Sequence, residues 1–403
     1  MYSGIEKKLS RVLIVLSLCL MTLISGCQSK GVVKSEDSGA YHYDIVGTAI
    51  AVDFGPDGRL WRLIPTTDAV YVDFSTDQGQ SYSKPVKVNR EDQKINAWSE
   101  NPPAIKVSKS GRIHVLYYAD ADQKATTYYS YSDDGISFSM PVTVSDHAQS
   151  AMHYMDQMLV DDQDQVYMFW HDTRHGMHDD KLGSGVLSLY YTVSAKDSNT
   201  FVNHKLTDAV CSCCRTATDL APNGRPVILA RMVFSGGVRD HALIRMQNDG
   251  QWSKAQRVLR DQWQIDACPE HGPALSIGQQ ERAHLAWFTL GPTRKGIYYA
   301  YSDDYGKSLS SPISLGNKKK LPSHPDVMAV GDRVVLAWQE FDGSETSVVI
   351  KQSNDRGATW SMDTQVLNAR GKTGFPDLVK QGEAVYLSWL TKNEGHKFIR
   401  IQK

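Results

Sequence analysis

The sequence predicts an all-β chain folded as a single β-propeller of four-stranded blades. Three observations carry that expectation. A short box of the form Ser-x-Asp-x-Gly-x-x-aromatic recurs from copy to copy at spacings of 51 to 62 residues along the 403-residue chain. Strands rich in Tyr and Val flank each box. No segment of useful length shows the helical period. Repetition at such a period marks an array or propeller, because one unit alone cannot bury its apolar face.

At the N-terminus, Lys7, Lys8 and Arg11 precede an apolar run from Val12 to Ile24 and then Ser25-Gly26-Cys27. A run that short, ending in small residues, reads as a secretory signal and not as a membrane span. Ile24-Ser25-Gly26-Cys27 resembles the bacterial lipoprotein box, which implies cleavage after residue 26 and lipidation of Cys27. Gln28 follows where an Asp would signal inner-membrane retention, so the resemblance implies an outer-membrane anchor if the cell is Gram-negative. Residues 27–40 are small, polar and charged and read as a flexible tether. The membrane is then a partner through the lipid alone. Loss of residues 1–26 takes the formal charge of −1 two units lower, to −3. With no basic excess to hold a phosphate backbone, nucleic acid is excluded as a partner.

Residues 41–403 form the repeating domain. The box appears as STDQGQSY from Ser75, SDDYGKSL from Ser302 and SNDRGATW from Ser353. A shorter copy, SDDGISF, starts at Ser132, and worn copies start at Ser194 and Asn248. The box sits on a hairpin in which Gly supplies positive φ and Asp and Ser bond the turn backbone. Upstream of each box come two more strands joined by a polar turn, as in PALSIGQQERAHLAWF and PDVMAVGDRVVLAW. That gives four strands per unit, the sheet of one blade. Seven inner strand pairs against six boxes argue for seven blades, with six as the alternative. YHYDIV at 41–46 is expected to supply the outer strand that the last unit lacks.

These boxes resemble the Asp-box (BNR) repeats of the sialidase-like β-propeller superfamily, over roughly residues 45 to 400. The resemblance implies the fold; the same boxes occur in hydrolases, lectins and assembly factors, so function must come from the site. A sialidase would need an arginine triad, a Tyr and Glu nucleophile pair and an Asp. Arg62, in RLIP, falls at the end of a second strand and reads as ordinary strand surface. Arg215 precedes an inner strand, and Arg231 and Arg239 lie at the far end of the same hairpin. Together they form a candidate anion clamp, since Arg grips carboxylates in bidentate fashion. No Tyr and Glu pair stands out among 19 tyrosines, so no catalytic residue is assigned and the enzymatic question stays open.

In a propeller, the loops that lead into the innermost strands meet at one end of the central channel, the default binding face. Here they carry Glu100, His153, Asp156, Glu270 and His324, which join the arginines as ligand-binding candidates for a glycan, a peptide, another anionic small ligand or an envelope protein. CSCCRT (211–216) and CPEHGPA (268–274) fall into register at an offset of 57 residues. Cys211 then matches Cys268, and Cys214 matches His271. The commoner reading is a Cys211–Cys268 disulfide in an oxidising exported compartment. The other reading is a copper or zinc site of Cys211, Cys214, Cys268 and His271, or thiol redox chemistry on that face.

Overall fold

The computed structural model describes residues 31–35, 41–121, 124–147, 151–194 and 200–403. Cys19, Cys27, the signal segment and the worn box copy after Ser194 lie outside the described residues. The chain divides into two units, residues 1–44 and 45–403. In the first, Val32–Lys34 pairs antiparallel with Tyr41–Tyr43. The expectation for 41–46 is thereby corrected: its strand joins this hairpin, and the last sheet of the chain keeps three strands.

The second unit is all-β, and its only helical turns among the described residues are short 3-10 segments. Four antiparallel sheets have four strands each, spanning 51–87, 104–143, 274–315 and 323–370. An eight-stranded sheet spans 153–259 and resolves into two four-stranded halves joined by a single pairing, Val210 with Met232. The final sheet holds Asp377–Gln381, Ala384–Thr391 and Gly395–Ile401. The first strands of the successive sets are Ala51–Phe54, Ala104–Val107, His153–Val160, Ala217–Leu220, Ala274–Ile277, Ser323–Val330 and Asp377–Gln381. Each lies beside the next, and the last lies beside the first. The meeting of these first strands leaves a central tunnel with a cavity of about 360 Å³.

The second strands carry the core. Val166–Asp172 and Leu60–Pro65 are buried along their whole length, as expected for strands covered on both faces. Trp170, Trp287, Trp338 and Trp389 occupy matching positions and are at most 1 % exposed. Each buried indole N–H donates to an internal oxygen: Asp172, Asp261, Glu340 and the Gly374 carbonyl, at 2.8 to 3.1 Å. A buried Trp requires such a partner.

The boxes are structural, as their residue types require. In the box at 353–360, Ser353 Oγ donates to Asp355 at 2.7 Å and accepts from the Gly357 N–H at 2.8 Å. Asp355 also accepts from the Thr359 N–H and hydroxyl. Gly357, at φ +85°, lies so close to Tyr299 of the preceding sheet that a Cβ would stand 2.1 Å from its hydroxyl. Gly306 meets Val258 and Gly135 meets Trp61 in the same way, while Gly79 rests on Phe398 of the final sheet. Each box turn therefore docks onto the preceding sheet, and the first docks onto the last.

Arg62 differs from expectation. It is buried, forms a bidentate pair with Asp73 at 2.9 and 2.7 Å and lies over the Tyr82 ring. A second strand buried on both faces leaves it no solvent side.

Candidate functional site

The tunnel wall explains where the inner-strand polar residues go. The carboxylate of Asp53 accepts the Val107 N–H at 2.8 Å, Asp219 that of Ile277 at 2.6 Å and Asp326 that of Leu378 at 2.7 Å. Ser276 Oγ accepts the Ala329 N–H, and Asn101 Oδ1 accepts those of Met155 and Asp156. Polar side chains thus staple one inner strand to the next, satisfying backbone donors that the sheets leave unpaired. Asp326 and Asp377 line the tunnel, Asp326 half-buried and Asp377 exposed to the lumen but hemmed in by the surrounding wall. Desolvation raises them to about 6 and about 7, with Asp326 adding repulsion at Asp377.

One rim of the tunnel gathers the chemistry. Arg215, Gly272 and Phe375 stand two positions before the first paired residue of their strands, and Met155 and His324 fall at the register shifts within theirs, two positions before Gln157 and Asp326. Met155 and His324 hold left-handed backbone, φ +59° and +48°, a strained state for a side-chain-bearing residue. Arg215 Nη1 and its own backbone N–H reach Glu100 at 3.2 and 3.3 Å. Gly272 makes room: a Cβ there would stand 2.3 Å from Arg215 Cγ. The Arg215 guanidinium also lies over Phe375 at 5.3 Å. From Phe375 a ladder of rings crosses the rim, through His324 at 3.7 Å and His271 at 4.6 Å to Phe288 at 3.9 Å. Burial keeps both imidazoles neutral, His271 lowered to about 3 and His324 well below its ordinary value. Glu100 is 4 % exposed, and its desolvation outweighs the Arg215 charge, so its carboxyl is raised.

The expected binding set narrows against this geometry. Arg215, Glu270, His271 and His324 keep solvent contact. His324 Nε2 bonds the Glu270 carbonyl at 3.3 Å. His153 is fully buried between Thr126 and Ser145 with Asp172 at 3.5 Å, and Asp156 is buried on Thr127. Arg231 and Arg239 do not converge with Arg215 as an anion clamp. Arg231 is 1 % exposed and donates to the carbonyls of Arg239, His271 and Phe288. Arg239 donates to the carbonyls of Ile265 and Ser184 and to Cys211 Sγ. Both arginines lie on strands buried on both faces, where only internal acceptors are within reach.

The cysteines group differently from either expectation. The four cysteines among the described residues are free thiols. Cys268 is exposed, while Cys211, Cys213 and Cys214 are buried together on one tight turn. Cys211 Sγ stands 3.3 Å from Cys214 Sγ and 3.9 Å from Cys213 Sγ. The structure therefore pairs Cys211 with its own turn and not with Cys268, and His271 belongs to the ring ladder. The three sulfurs, all within 4.8 Å of one another, could hold a metal. The sulfur contacts and then the Arg231 and Arg239 charges pull Cys211 far toward the thiolate, and burial pushes Cys214 up to about 12.

Phe375 and Gly272 escaped sequence reasoning, and Cys213 reads there only as an odd thiol or as a vicinal partner of Cys214. Phe375 had a signal: GFPD (374–377) matches SHPD (323–326) in register, which places Phe375 opposite His324.

No family model matches the chain, and no curated protein is matched in sequence. Solved structures are matched in fold. A polysaccharide lyase, a PL25 ulvan lyase, superposes with a TM-score of 0.59 at 12 % identity, covering 92 % of this chain and 94 % of that one. The polysaccharide lyase Uly1 gives 0.55 at 12 % identity, covering 90 % and 92 %. A Hadza microbial sialidase gives 0.50 at 12 % identity, covering 83 % and 73 %. The fold is thus a β-propeller of the kind shared by polysaccharide lyases and sialidases. A ulvan lyase structure of that fold is bound to -[GlcA(1-4)Rha3S]-.

Proposed function

We propose that this protein is a lipid-anchored cell-envelope propeller of seven blades that binds an acidic carbohydrate at the tunnel rim. The observation that carries the reading is Arg215, largely buried at the rim with 15 % of its side chain still exposed and holding Glu100 by Nη1 alone of its side-chain nitrogens, beside the Phe375–His324–His271 ring ladder. A guanidinium with unused N–H groups suits a uronate carboxylate or a sulfate ester. Ring faces suit the apolar face of a sugar. Trp98, 37 % exposed on the loop leading to Ala104–Val107, offers a further face. The ring of first strands, with the first box docked on the last sheet, supports the seven-blade count. The carbohydrate-active proteins that share the fold support the ligand class.

Isothermal titration of the purified protein with uronate- and sulfate-bearing oligosaccharides, beside neutral ones, tests the reading. Arg215→Ala is expected to weaken acidic-glycan binding by about 10- to 100-fold, the worth of a charged hydrogen bond. Asp355→Asn should leave it unchanged. Binding that survived Arg215→Ala, or that preferred neutral sugars, would overturn the proposal.

A further inference from the structure

We propose that Cys211, Cys213 and Cys214 form a three-thiolate site for one copper(I) ion. Three sulfurs about 2.3 Å from a common ion stand about 4 Å apart in a trigonal arrangement. The separations of 3.3 and 3.9 Å, with all three sulfurs inside 4.8 Å, match that spacing with small rotamer shifts. Val186, Val233, Leu182 and Ala209 pack around the sulfurs. No carboxylate or imidazole joins them within that radius among the described residues. A donor set of thiolates alone selects a soft ion. Structural zinc takes four ligands, and three are in place here.

Charge points the same way. Three thiolates and one copper(I) leave two negative charges in a buried pocket, which must be balanced. Arg239 supplies one positive charge, with Nη1 3.1 Å from Cys211 Sγ and its other nitrogens fixed on the Ile265 and Ser184 carbonyls. Arg231, buried and held on three carbonyls, supplies the second. Zinc(II) at the same three sulfurs would leave a net positive charge. The two arginines that failed as an anion clamp at the rim are thereby the counter-charges of a thiolate centre beneath it.

The full protein, reduced and handled without oxygen, is titrated with copper(I) against a chromophoric copper(I) chelator. One ion per chain should move to the protein, and X-ray absorption should show three sulfur neighbours and no lighter ligand. Cys213→Ser and Cys214→Ser should each weaken binding by roughly 100-fold or more, since even changes around a metal's ligands cost 10- to 100-fold. Cys268→Ser should leave copper binding unchanged. Copper left with the chelator, nitrogen or oxygen in the first shell, or zinc(II) bound in preference to copper(I) would overturn the proposal. The wild-type measurements decide the matter even if a serine variant fails to fold.

Discussion

Asp156 is a carboxyl with no cation beside it. Burial raises it to about 7, and the Thr127 hydroxyl, 2.6 Å away, offsets only part of the shift. Its folded value lies above the ordinary 3.8. The fold therefore keeps a proton that the unfolded chain has already lost, and stability present below pH 3.8 drains away as pH rises toward 7. Asp156→Asn imitates the neutral acid. In urea titrations at pH 8 it should be more stable than wild type by roughly 2–4 kcal/mol, with the gain vanishing near pH 4. A variant that lost stability at pH 8 would contradict the assignment. Gly272 gives a second test at this scale. Gly272→Ala would drive a Cβ into Arg215 Cγ, so it should weaken acidic-glycan binding nearly as much as Arg215→Ala while costing about 1–3 kcal/mol of stability. Neither role declares itself in the sequence, where Asp156 reads as a ligand-binding candidate: the demand for Gly at 272 comes from a neighbouring strand, and the neutral Asp from three-dimensional burial.

At the scale of the element, the strand pattern and the boxes were legible because their signals are local. A period-2 strand, a Gly turn and an Asp that caps its own loop need only neighbours in sequence. Which arginine keeps a guanidinium with N–H groups to spare at the rim was not legible, because Arg215, Arg231 and Arg239 look alike until the second and third strands prove buried on both sides. The cysteine grouping failed for a related reason: the offset of 57 residues aligned Cys211 with Cys268, but matching blade positions are neighbours only when their side chains point at each other. The inter-strand staples give the test here. Asp219→Ala would strand the Ile277 N–H inside the wall and should cost about 1–3 kcal/mol in chemical denaturation. Asp219→Asn keeps an acceptor oxygen and removes a carboxyl whose burial raises it, so it should cost less than Ala. Equal losses in the two variants would show that the staple contributes little.

For the whole repeating unit, closure is where the ring departs from its own repeat. The final sheet has three strands, so the first and last sheets meet through side chains: Phe54 with Tyr386 at 5.1 Å, Gln381 on the Gly58 carbonyl, and Gly79 on Phe398. His396 lies in this seam, 2.9 Å from Ser388 Oγ and beside the buried Arg62–Asp73 pair. Desolvation, and then the Arg62 charge, lowers it from 6.5 to about 3. The imidazole is neutral in the fold and takes a proton when the chain unfolds below pH 6.5. Its contribution is therefore complete above 6.5 and falls as the pH drops toward 3. Other buried imidazoles, His114, His153, His171 and His284, are lowered to about 4 by the same desolvation and share the sign. Acid should therefore weaken the ring, at up to about 1.4 kcal/mol per pH unit for each such histidine, against the opposite slope of raised carboxyls such as Asp156. His396→Gln keeps a neutral hydrogen-bonding side chain in the seam and should flatten the wild-type loss between pH 6.5 and 4.5 by about that amount per unit. Denaturation curves at the two pH values decide it, and a variant with the wild-type slope would show that closure does not depend on the charge state of this residue.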